Sequence, residues 1–457
     1  MTDQKYAADP TNKFLLDAIE PGVRARPGAA IAVIGRNLEM SIAGLKAYFF
    51  AEWQTKLVDL LVVAAAAEYC DVVKRRPALG WARTFDVRVA VHDPSTWRAT
   101  PVKSALEDAL HLLTGDNWSF TFVKRISEMD SVRDPSLSIT PTDRTIMPYS
   151  DGIDSKAVAE IVQYQERGGL VRVRLGSKGV DRKSRRVRFT TVPYEVNVAK
   201  HLRRESSARS RGFKFSIITG IAAHLAKVNR IIVTESGQGS LGPILACTGH
   251  SYPDYRVHPT FTKKMEQLFT ELMGSSVHYE FPRIWKTKGE TIGEASALPS
   301  KPTWHDTRSC WQQSRQTGIA GRRRQCGICA ACLLRRMSMH AAGQPESQDM
   351  YVWEDLTARE IRDGAAADFK LYTSRLEQYA IAGVLHLDHL AALPGSPLHA
   401  RRLRQVARET ARALGEDVHE AEAKLIHMLE CHRREWCDFL RMLGPKSFVT
   451  QLASVLP

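Results

Sequence analysis

The sequence predicts an α/β protein in which a central parallel-sheet domain is preceded by an N-terminal α/β extension and followed by a C-terminal helical extension. Strand-like and helix-like segments alternate between residues 144 and 340, shorter α/β sequence precedes them, and charged helical sequence follows. The 457 residues, 44% of them hydrophobic, are enough for several domains. We predict domains at 1–140, 144–340 and 341–457, with a linker rich in Ser, Pro, Asp and Thr over 131–143.

The N-terminal domain opens with a helical stretch over 41–74. Its most apolar run, Leu57 to Ala67, is short and is interrupted by Asp59, so we expect a buried helix rather than a membrane span. An alternating strand at 86–92, a helix over 102–113 and a strand at 118–124 complete this small α/β unit.

The central domain alternates strands and helices, as a parallel sheet requires. We predict its strands at 145–148, 170–175, 187–192, 230–234 and 277–282. The predicted helices are 156–167, 213–228, 262–273 and one that begins near Thr287. In the C-terminal domain the sequence favours helices over 397–414 and 417–443.

The formal net charge is +14, which favours anionic partners such as nucleotides, nucleic acid or an acidic protein. Basic residues concentrate between Arg172 and Lys214, where they suit a phosphate-lined cleft or, equally, a solvated loop across 177–186. Nucleic acid is therefore a possible partner but not the favoured one. Because no segment reads as a signal peptide or a membrane span, we expect a cytoplasmic protein with no membrane partner.

Four cysteines crowd into one stretch of the central domain: Cys310, Cys326, Cys329 and Cys332. Thiolates three residues apart on a tight turn can converge on one tetrahedral ion, and zinc is the usual ion for a closed four-thiolate site. Disulfides, unliganded core cysteines and an iron–sulfur cluster are the alternatives. The lack of a signal peptide argues against disulfides and the spacing against unliganded thiols, so we predict a structural Zn²⁺.

The segment Ser150-Asp-Gly-Ile-Asp-Ser155 links a predicted strand to a predicted helix. Such a loop presents unpaired backbone N–H groups to a small anion, and the helix dipole favours negative charge there. Ser150 and Ser155 add hydroxyl donors, Gly152 lets a phosphate approach the backbone, and Asp154 can orient the loop or hold a magnesium ion. The alternative is an ordinary cap in which Asp154 and Ser155 satisfy the helix amides.

Three further segments accompany the loop and the cysteine cluster. Arg211 precedes an apolar helix, and Tyr252-Pro-Asp-Tyr-Arg256 and Phe281-Pro-Arg-Ile-Trp-Lys-Thr-Lys-Gly-Glu-Thr291 follow it. In this order the five motifs resemble those of the 7-cyano-7-deazaguanine synthases, the QueC-like branch of the ATP-pyrophosphatase superfamily. The resemblance covers residues 145–340, somewhat under half of the chain. The extra terminal parts resemble the longer QueC-like proteins of anti-phage defence operons, the QatC type.

The resemblance implies a nucleotide-binding core of the PP-loop (HUP-like) type that binds ATP and Mg²⁺. It assigns ATP to six loop residues: Ser150, Asp151, Gly152, Ile153, Asp154 and Ser155. It makes Arg211 and Lys288 catalytic candidates that offset charge on phosphate or carboxylate. It also places a 7-deazaguanine-type substrate near Tyr252, Asp254 and Arg256. A structural turn at 252–254 and an ion pair of Lys288 with Glu290 are the alternatives for those positions.

The implied activity is that of an ATP-dependent C–N ligase, which adenylates the carboxylate of 7-carboxy-7-deazaguanine so that ammonia can form an amide and then, with a second ATP, a nitrile. Positioning and charge neutralisation would supply the catalysis. An alternative uses the same activation to transfer the deazapurine to an amine of a partner protein from the same operon. A further alternative is a non-catalytic sensor of a nucleotide or a nucleic acid.

The sequence departs from the family pattern at three places. Asp151 stands where the family has its second glycine, and a carboxylate there repels ATP unless it faces solvent or binds magnesium. Gly212 follows Arg211, where the family has Asn. The short Gly-rich stretch becomes Thr234-Glu-Ser-Gly-Gln-Gly-Ser-Leu-Gly242, so the acceptor or purine pocket is expected to differ.

Overall fold

The structure is a computed structural model that describes residues 13–40, 54–77, 82–127, 145–166, 169–176, 189–205, 208–248, 252–312, 317–319 and 321–454. The predicted linker at 131–143 lies outside these residues. So do the first part of the helical stretch predicted for 41–74 and the centre of the basic stretch, residues 177–188.

The strands of the described residues are numbered in chain order. They are β1 (Lys13–Ile19), β2 (Ala30–Val33), β3 (Leu38–Met40), β4 (Thr84–Val91), β5 (Asn117–Lys124), β6 (Thr145–Pro148), β7 (Leu170–Gly176), β8 (Phe189–Val196), β9 (Arg230–Ile232), β10 (His278–Glu280), β11 (Gly318–Ile319) and β12 (Arg322–Arg323).

The α-helices are numbered in the same way. They are α1 (Thr55–Val73), α2 (Pro94–Arg98), α3 (Thr100–Thr114), α4 (Ile153–Gln165), α5 (Arg211–Leu225), α6 (Gly237–Ser240), α7 (Gly242–Leu245), α8 (Pro259–Met273), α9 (Lys288–Ser296), α10 (Ala330–Ala341), α11 (Ser374–Ala392), α12 (Ala400–Leu414), α13 (Val418–Leu443) and α14 (Phe448–Leu452). Short 3₁₀ helices occur at Gln348–Met350, Arg362–Gly364 and Pro397–His399. None of these described helices is long and apolar enough to cross a membrane.

The chain forms two compact units, each assembled from separate segments. The first unit contains residues 1–148, 169–233 and 254–280, and the second contains 149–168, 234–253 and 281–457. Neither unit follows the three consecutive domains proposed from the sequence, so that division stays a prediction.

The first unit contains a four-stranded parallel sheet in the order β2-β1-β4-β5. Strand β5 alternates buried and accessible positions, so its Trp118, Phe120 and Phe122 share one buried face. Helix α1 packs on strands of this unit, and its residues from Leu60 to Ala67 are all buried. The prediction of a buried helix at Leu57–Ala67 is confirmed.

The same unit contains a six-stranded sheet in the order β10-β9-β6-β7-β8-β3, parallel except for the β3–β8 pair. From β6 the chain moves to β7 and β8 on one side and then returns to β9 and β10 on the other. Ligands of open α/β sheets bind at the carboxyl ends of strands where the order reverses in this way, here β6 and β9. The chain segments that follow these strands, 149–155 and 234–242, both belong to the second unit and are therefore the candidates for its ligand site.

The second unit is largely helical and has two apolar cores. One core joins α4, α9 and α10 through seven buried residues: Ile153, Ala157, Ile161, Ile292, Ala295, Trp304 and Met339. The other surrounds the cysteine cluster and includes buried side chains of α11 and α13 such as Val384, Leu387 and Trp436. The helix that follows the predicted ATP loop and the helices that carry Lys288 and Cys332 therefore share one packed unit.

The predicted fold class is confirmed: the protein is α/β with parallel sheets, an N-terminal α/β region and a C-terminal helical region. The strand predicted at 145–148 has those bounds in the structure. The helix predicted from Lys156 begins three residues earlier, at Ile153, because Gly152 is its N-cap. Strands β1, β2 and β3 were not predicted, although β1 pairs with both β2 and β4.

Candidate functional site

The Ser150–Ser155 loop is closed by its own hydroxyl groups. The amide of Gly152 donates to Ser150 Oγ at 3.1 Å, and Ser150 Oγ lies 3.1 Å from Ser155 Oγ. Gly152 is the N-cap of α4 and offers no side chain for capping. The Asp154 side chain bonds Lys288, and Ser155 Oγ lies near Ser150 Oγ and Thr234 Oγ1, so the alternative of a cap made by Asp154 and Ser155 is wrong. The amides at the start of a helix favour a bound anion. The exposed Asp151 meets the condition under which a carboxylate is tolerated beside a phosphate.

Asp154 and Lys288 form an ion pair in the second unit. Lys288 Nζ lies 2.7 Å from Asp154 Oδ2, and the two side chains are only 7% and 15% exposed. The alternative pair of Lys288 with Glu290 does not form, because Glu290 bonds Lys286 Nζ at 3.2 Å and accepts from the Thr287 amide at 2.8 Å. The structure thus brings two predicted residues together: the carboxylate offered for magnesium is bound to the lysine offered for catalysis.

The start of α9 fixes the position of Lys288. Thr287 is the N-cap in a capping box with Glu290, in which each side chain accepts from the other residue's amide. The amide of Lys288 donates to Gln238 Oε1 at 2.7 Å. The sequence analysis placed the start of this helix near Thr287 but missed the capping box and the role of Gln238. The Thr-x-x-Glu pattern could have indicated the cap, whereas Gln238 lies fifty positions away and carries no local signal.

Two residues of α13 complete this network, and neither was predicted. Gln238 Nε2 lies 2.8 Å from His432 Nδ1 and 3.4 Å from Glu435 Oε2. Glu435 Oε1 also accepts from Thr287 Oγ1 at 2.5 Å. Burial lowers the pKa of His432 to about 4 and raises the pKa of Glu435 to about 7. The C-terminal helical region therefore contributes side chains to the surroundings of Lys288.

The segment Thr234–Gly242 lies beside the loop at one point. Thr234 Oγ1 is 3.5 Å from Ser155 Oγ, at the limit of a hydrogen bond. Within the described part of the chain, the buried hydroxyls of Ser236 and Ser240 have no hydrogen-bond partner. A buried hydroxyl without a partner is costly, so these two donors are available to a bound molecule.

Arg211 and Arg256 are neighbours in the first unit. Desolvation and the nearby Arg256 guanidinium lower the pKa of Arg211, while Glu68 opposes this effect. The Arg211 residue as a whole is exposed to solvent, but its guanidinium lies over the Phe215 ring, 5.2 Å from the ring centroid. A Cβ at Gly212 would come within 2.6 Å of Arg256 Cβ, so glycine is needed for this approach. Two adjacent cations suit an anionic ligand.

Asp254 and Arg256 are bound to each other. The Arg256 amide donates to Asp254 Oδ1 at 3.0 Å, and Arg256 Nη2 lies 2.7 Å from Asp254 Oδ2. These contacts give Asp254 a local structural role at 254–256, whereas the alternative had placed the turn at 252–254. Tyr252, half-buried, belongs to the second unit, whereas Asp254 and Arg256 belong to the first. A role in substrate binding for these three residues remains a proposal.

The four predicted cysteines form one cluster in the second unit. Their sulfur atoms all lie within 4.8 Å of one another, and Cys326 Sγ is 3.7 Å from Cys332 Sγ. Four thiolates at about 2.3 Å from a zinc ion would lie about 3.8 Å apart, so the set fits a single tetrahedral metal. An iron–sulfur cluster, which distributes its cysteines over several iron atoms, requires wider spacing.

The local backbone prepares the cysteines for a metal. Cys310 Sγ accepts from the amides of Gln312 and Cys326, and Cys326 Sγ accepts from the Cys329 amide at 3.4 Å. Gly327 adopts φ +89° in the turn between Cys326 and Cys329, a conformation that favours glycine. Hydrogen bonds from the other thiols lower the pKa of Cys310, whereas burial raises the pKa of Cys326 and Cys332. A bound cation would favour the thiolate form of all four.

Arg335, three residues after Cys332, is fully buried and ties the cluster to its surroundings. Its guanidinium donates to Trp304 O, to Thr307 O and Oγ1, and to Glu346 Oε1 at 2.7 Å. Although burial opposes the charged form, Glu346 holds the pKa of Arg335 above its usual value. Trp304 also packs against α4 and α9, so the cysteine helix and the loop helix are held in one core.

Comparison with known proteins gives one finding. Residues 218–343 match the family model described as "QueC: Queuosine biosynthesis protein QueC". The match includes Lys288, the segment 252–256 and all four cysteines, and it begins after the Ser150–Ser155 loop and Arg211. A search of curated proteins found no match to this chain.

Proposed function

We propose that this QueC-like chain uses ATP to activate the carboxylate of a 7-deazaguanine and then forms a C–N bond at the activated carbon. The observation that carries the proposal is the start of α4, where Gly152 of the Ser150–Ser155 loop is the N-cap and Lys288 is held against Asp154. A helix start with neighbouring hydroxyl donors suits the pyrophosphate part of ATP. The family match to residues 218–343 supports the substrate class.

In the proposed first step, a carboxylate oxygen of the substrate attacks the α-phosphorus of ATP. A new P–O bond forms, the bond to the β-phosphate oxygen breaks, and pyrophosphate leaves with the electron pair. The amides of the loop and the hydroxyls of Ser150 and Ser155 hold the leaving pyrophosphate. Lys288 offsets its charge, and a Mg²⁺ ion held near Asp154 would neutralise further charge on the phosphates.

In the proposed second step, ammonia attacks the acyl carbon. The C–N bond forms, AMP leaves, and a proton is released to give the amide. Dehydration of the amide to the nitrile consumes a second ATP in the same way. Arg211 is a second candidate to offset phosphate or carboxylate charge, because burial and the neighbouring Arg256 guanidinium lower its pKa and a bound anion would favour its charged form.

We assign the cysteine cluster to structural Zn²⁺. Four protein thiolates leave no open coordination position for a substrate, so the metal supplies folding energy and no chemistry. Cys310, Cys326, Cys329 and Cys332 would hold it, and the buried Arg335 would keep their helix against α4 and α9.

The test is pyrophosphate release from ATP in the presence of Mg²⁺ and 7-carboxy-7-deazaguanine. We expect release that depends on the carboxylate substrate and is lost in Ser155→Ala. Ser338→Ala is the matched control, because it removes another buried serine hydroxyl, in α10, that has no described partner. Release no greater than that of Ser155→Ala would reject the enzyme and leave the sensor of a nucleotide or nucleic acid.

A second candidate transfers the activated deazapurine to an amine of a partner protein. It is favoured by the segment Thr234–Gly242, which replaces the family's short Gly-rich stretch and folds into α6 and the start of α7. A different segment lining the pocket where the amine acceptor enters would suit a different amine. Mass spectrometry of proteins encoded beside this chain, after co-expression, distinguishes the two: an adduct of deazapurine mass is expected only for transfer. The same proposal includes a role for this chain in anti-phage defence, encoded in one operon with its partner.

A further inference from the structure

We infer that His432 and Glu435 of the C-terminal helix α13 are positioning residues for Lys288, acting through Gln238 and Thr287. This inference rests on the proposed function for its catalytic consequence, since it assumes that Lys288 serves ATP-dependent chemistry. Its structural content is independent: a helix near the end of the chain determines where the start of α9 lies.

The argument begins with the proton on His432. His432 Nε2 lies 2.8 Å from the carbonyl oxygen of Leu387, which can only accept, so Nε2 carries the hydrogen and Nδ1 is an acceptor. The group of Gln238 at 2.8 Å from Nδ1 must then be its amide nitrogen. Because that nitrogen faces His432, the carbonyl oxygen of Gln238 faces Lys288 and accepts from its amide at 2.7 Å. The buried histidine thereby sets the orientation of the glutamine.

Glu435 acts on the residue before Lys288. Thr287 Oγ1 accepts from the Glu290 amide, so its own hydrogen is donated to Glu435 Oε1 at 2.5 Å. A Cβ at Gly289 would lie 2.5 Å from Glu435 Oε1, so glycine at this position lets the carboxylate approach α9. Glu435 Oε2 also accepts from Gln238 Nε2, at 3.4 Å. Thr287 is thus bound directly to Glu435, and Lys288 is connected through Gln238 to both His432 and Glu435.

A second polar contact of α13, made by Trp436, is not connected to α9. Trp436 is fully buried and donates to Asp388 Oδ1 at 3.0 Å, which joins α13 to α11 and does not involve Gln238 or α9. Hydrogen bonding to α9 is therefore a property of particular residues and not of the whole helix. Trp436→Phe provides a control that disturbs the helix while leaving the network intact.

The test measures the chemical reactivity of Lys288 in the full chain. Trace labelling with acetic anhydride followed by peptide mass spectrometry gives the labelling of Lys288 relative to the exposed Lys446. In the natural protein Lys288 is buried and paired with Asp154, so its labelling is expected to be slow. His432→Leu removes the acceptor for Gln238, and Gln238→Met removes the acceptor for the Lys288 amide.

Both variants are expected to raise Lys288 labelling about fivefold, the factor that one lost hydrogen bond typically gives. His432→Asn should restore slow labelling, because its side-chain oxygen replaces Nδ1 as the acceptor, and Trp436→Phe should leave the labelling unchanged. Equal labelling in His432→Leu, Gln238→Met and Trp436→Phe would overturn the inference, whether all rise or none does. If His432→Leu fails to fold, Gln238→Met decides.

The catalytic consequence is read separately. In Gln238→Met and His432→Leu, kcat for pyrophosphate release should fall by about tenfold or more, as misplacement of a catalytic group predicts, with recovery in His432→Asn. If the labelling changes as expected but the natural protein releases no pyrophosphate, the proposed function fails and the positioning network stands. If the natural protein is active and labelling and kcat are both unchanged in the variants, the network is rejected and the function stands.

Discussion

Lys288 and Asp154 form an ion pair in which Lys288 Nζ lies 2.7 Å from Asp154 Oδ2. The pair connects the first turn of α4, which follows the Ser150–Ser155 loop, to the first residue of α9. It is shielded from solvent on both sides, so its interaction is stronger than that of a surface pair. Five predictions test this pair, the cysteine cluster, Gly212, His432 and Glu435.

Removing the lysine leaves a half-buried carboxylate without its partner. We expect Lys288→Ala to lower the free energy of unfolding by about 1–3 kcal/mol. Urea denaturation followed by tryptophan fluorescence measures this loss. Lys156→Ala is the control, because Lys156 pairs with Asp306 at 2.7 Å but that aspartate is 58% exposed. The control should lose less than about 1 kcal/mol, and an equal loss in both variants would contradict the shielding argument.

Removing one cysteine ligand should release the metal before it affects chemistry. We expect Cys329→Ser to lose the bound metal and to melt at a lower temperature, because a structural metal site contributes directly to folding. Metal content is measured by mass spectrometry of the metal and stability by calorimetry. Cys70→Ala removes another fully buried thiol, in α1, and should keep the metal. Soluble, metal-free Cys329→Ser with unchanged melting would show that the cluster is not structural.

Gly212 should not tolerate a methyl group. Its Cβ would lie 2.6 Å from Arg256 Cβ and 2.9 Å from Arg256 Cα, and the backbone there cannot move away easily. Gly212→Ala is expected to cost about 1–3 kcal/mol of stability by overpacking. Gly293→Ala, in α9, meets no atom within 4 Å and should stabilise by about 1 kcal/mol through helix propensity. Thermal melting of both variants checks the opposite signs.

Because of His432, the free energy of unfolding should fall in acid. Burial lowers its pKa from the usual 6.5 to about 4, so the folded state favours the neutral ring. This contribution is fully present above pH 6.5 and is lost as the pH falls through 4, by about 3 kcal/mol in total. His258, whose pKa burial also lowers to about 4, adds a similar dependence. Comparing His432→Asn with the natural protein isolates the contribution of His432. The variant should lose less stability between pH 6.5 and pH 4.

Glu435, on the same helix as His432, should change the free energy of unfolding with pH in the opposite direction. Burial raises the pKa of Glu435 from 4.5 to about 7, so the folded state favours the protonated carboxyl. That contribution is present below pH 4.5 and is lost as the pH rises to 7. The stability of Glu435→Gln relative to the natural protein should therefore increase across this range, by about 3 kcal/mol. A constant difference between the two proteins from pH 4.5 to 8 would show that Glu435 is not desolvated.

Much of the architecture was predictable because local sequence determines it. The alternating apolar residues of β5 and the apolar run of α1 gave the correct elements, since periodicity records which face is buried. The cysteine cluster was predictable because a turn brings Cys326, Cys329 and Cys332 together by spacing alone. The short strands β2 and β3 were not predicted, because strands of three or four residues carry too few alternating positions.

The partners of the predicted site residues were much less predictable. Two alternatives stood for Lys288, and the structure replaced the local pair with Glu290 by a pair with Asp154, which is 134 positions away. For Asp254 the structure favours the local turn with Arg256. The pair with Asp154 does not follow from spacing, because Asp154 is far from Lys288 in the chain and only the fold brings the two side chains together.

The sequence by itself determined the fold class, the loop between β6 and α4 and the four-thiolate cluster, because each depends on residues close together in the chain. Only the tertiary structure determined that Lys288 binds Asp154 and that His432 and Glu435 of the C-terminal helix hold the start of α9. Gln238 and His432 are 194 positions apart, and their contact exists only because apolar packing places α13 within the second unit. Local periodicity contains no record of such contacts.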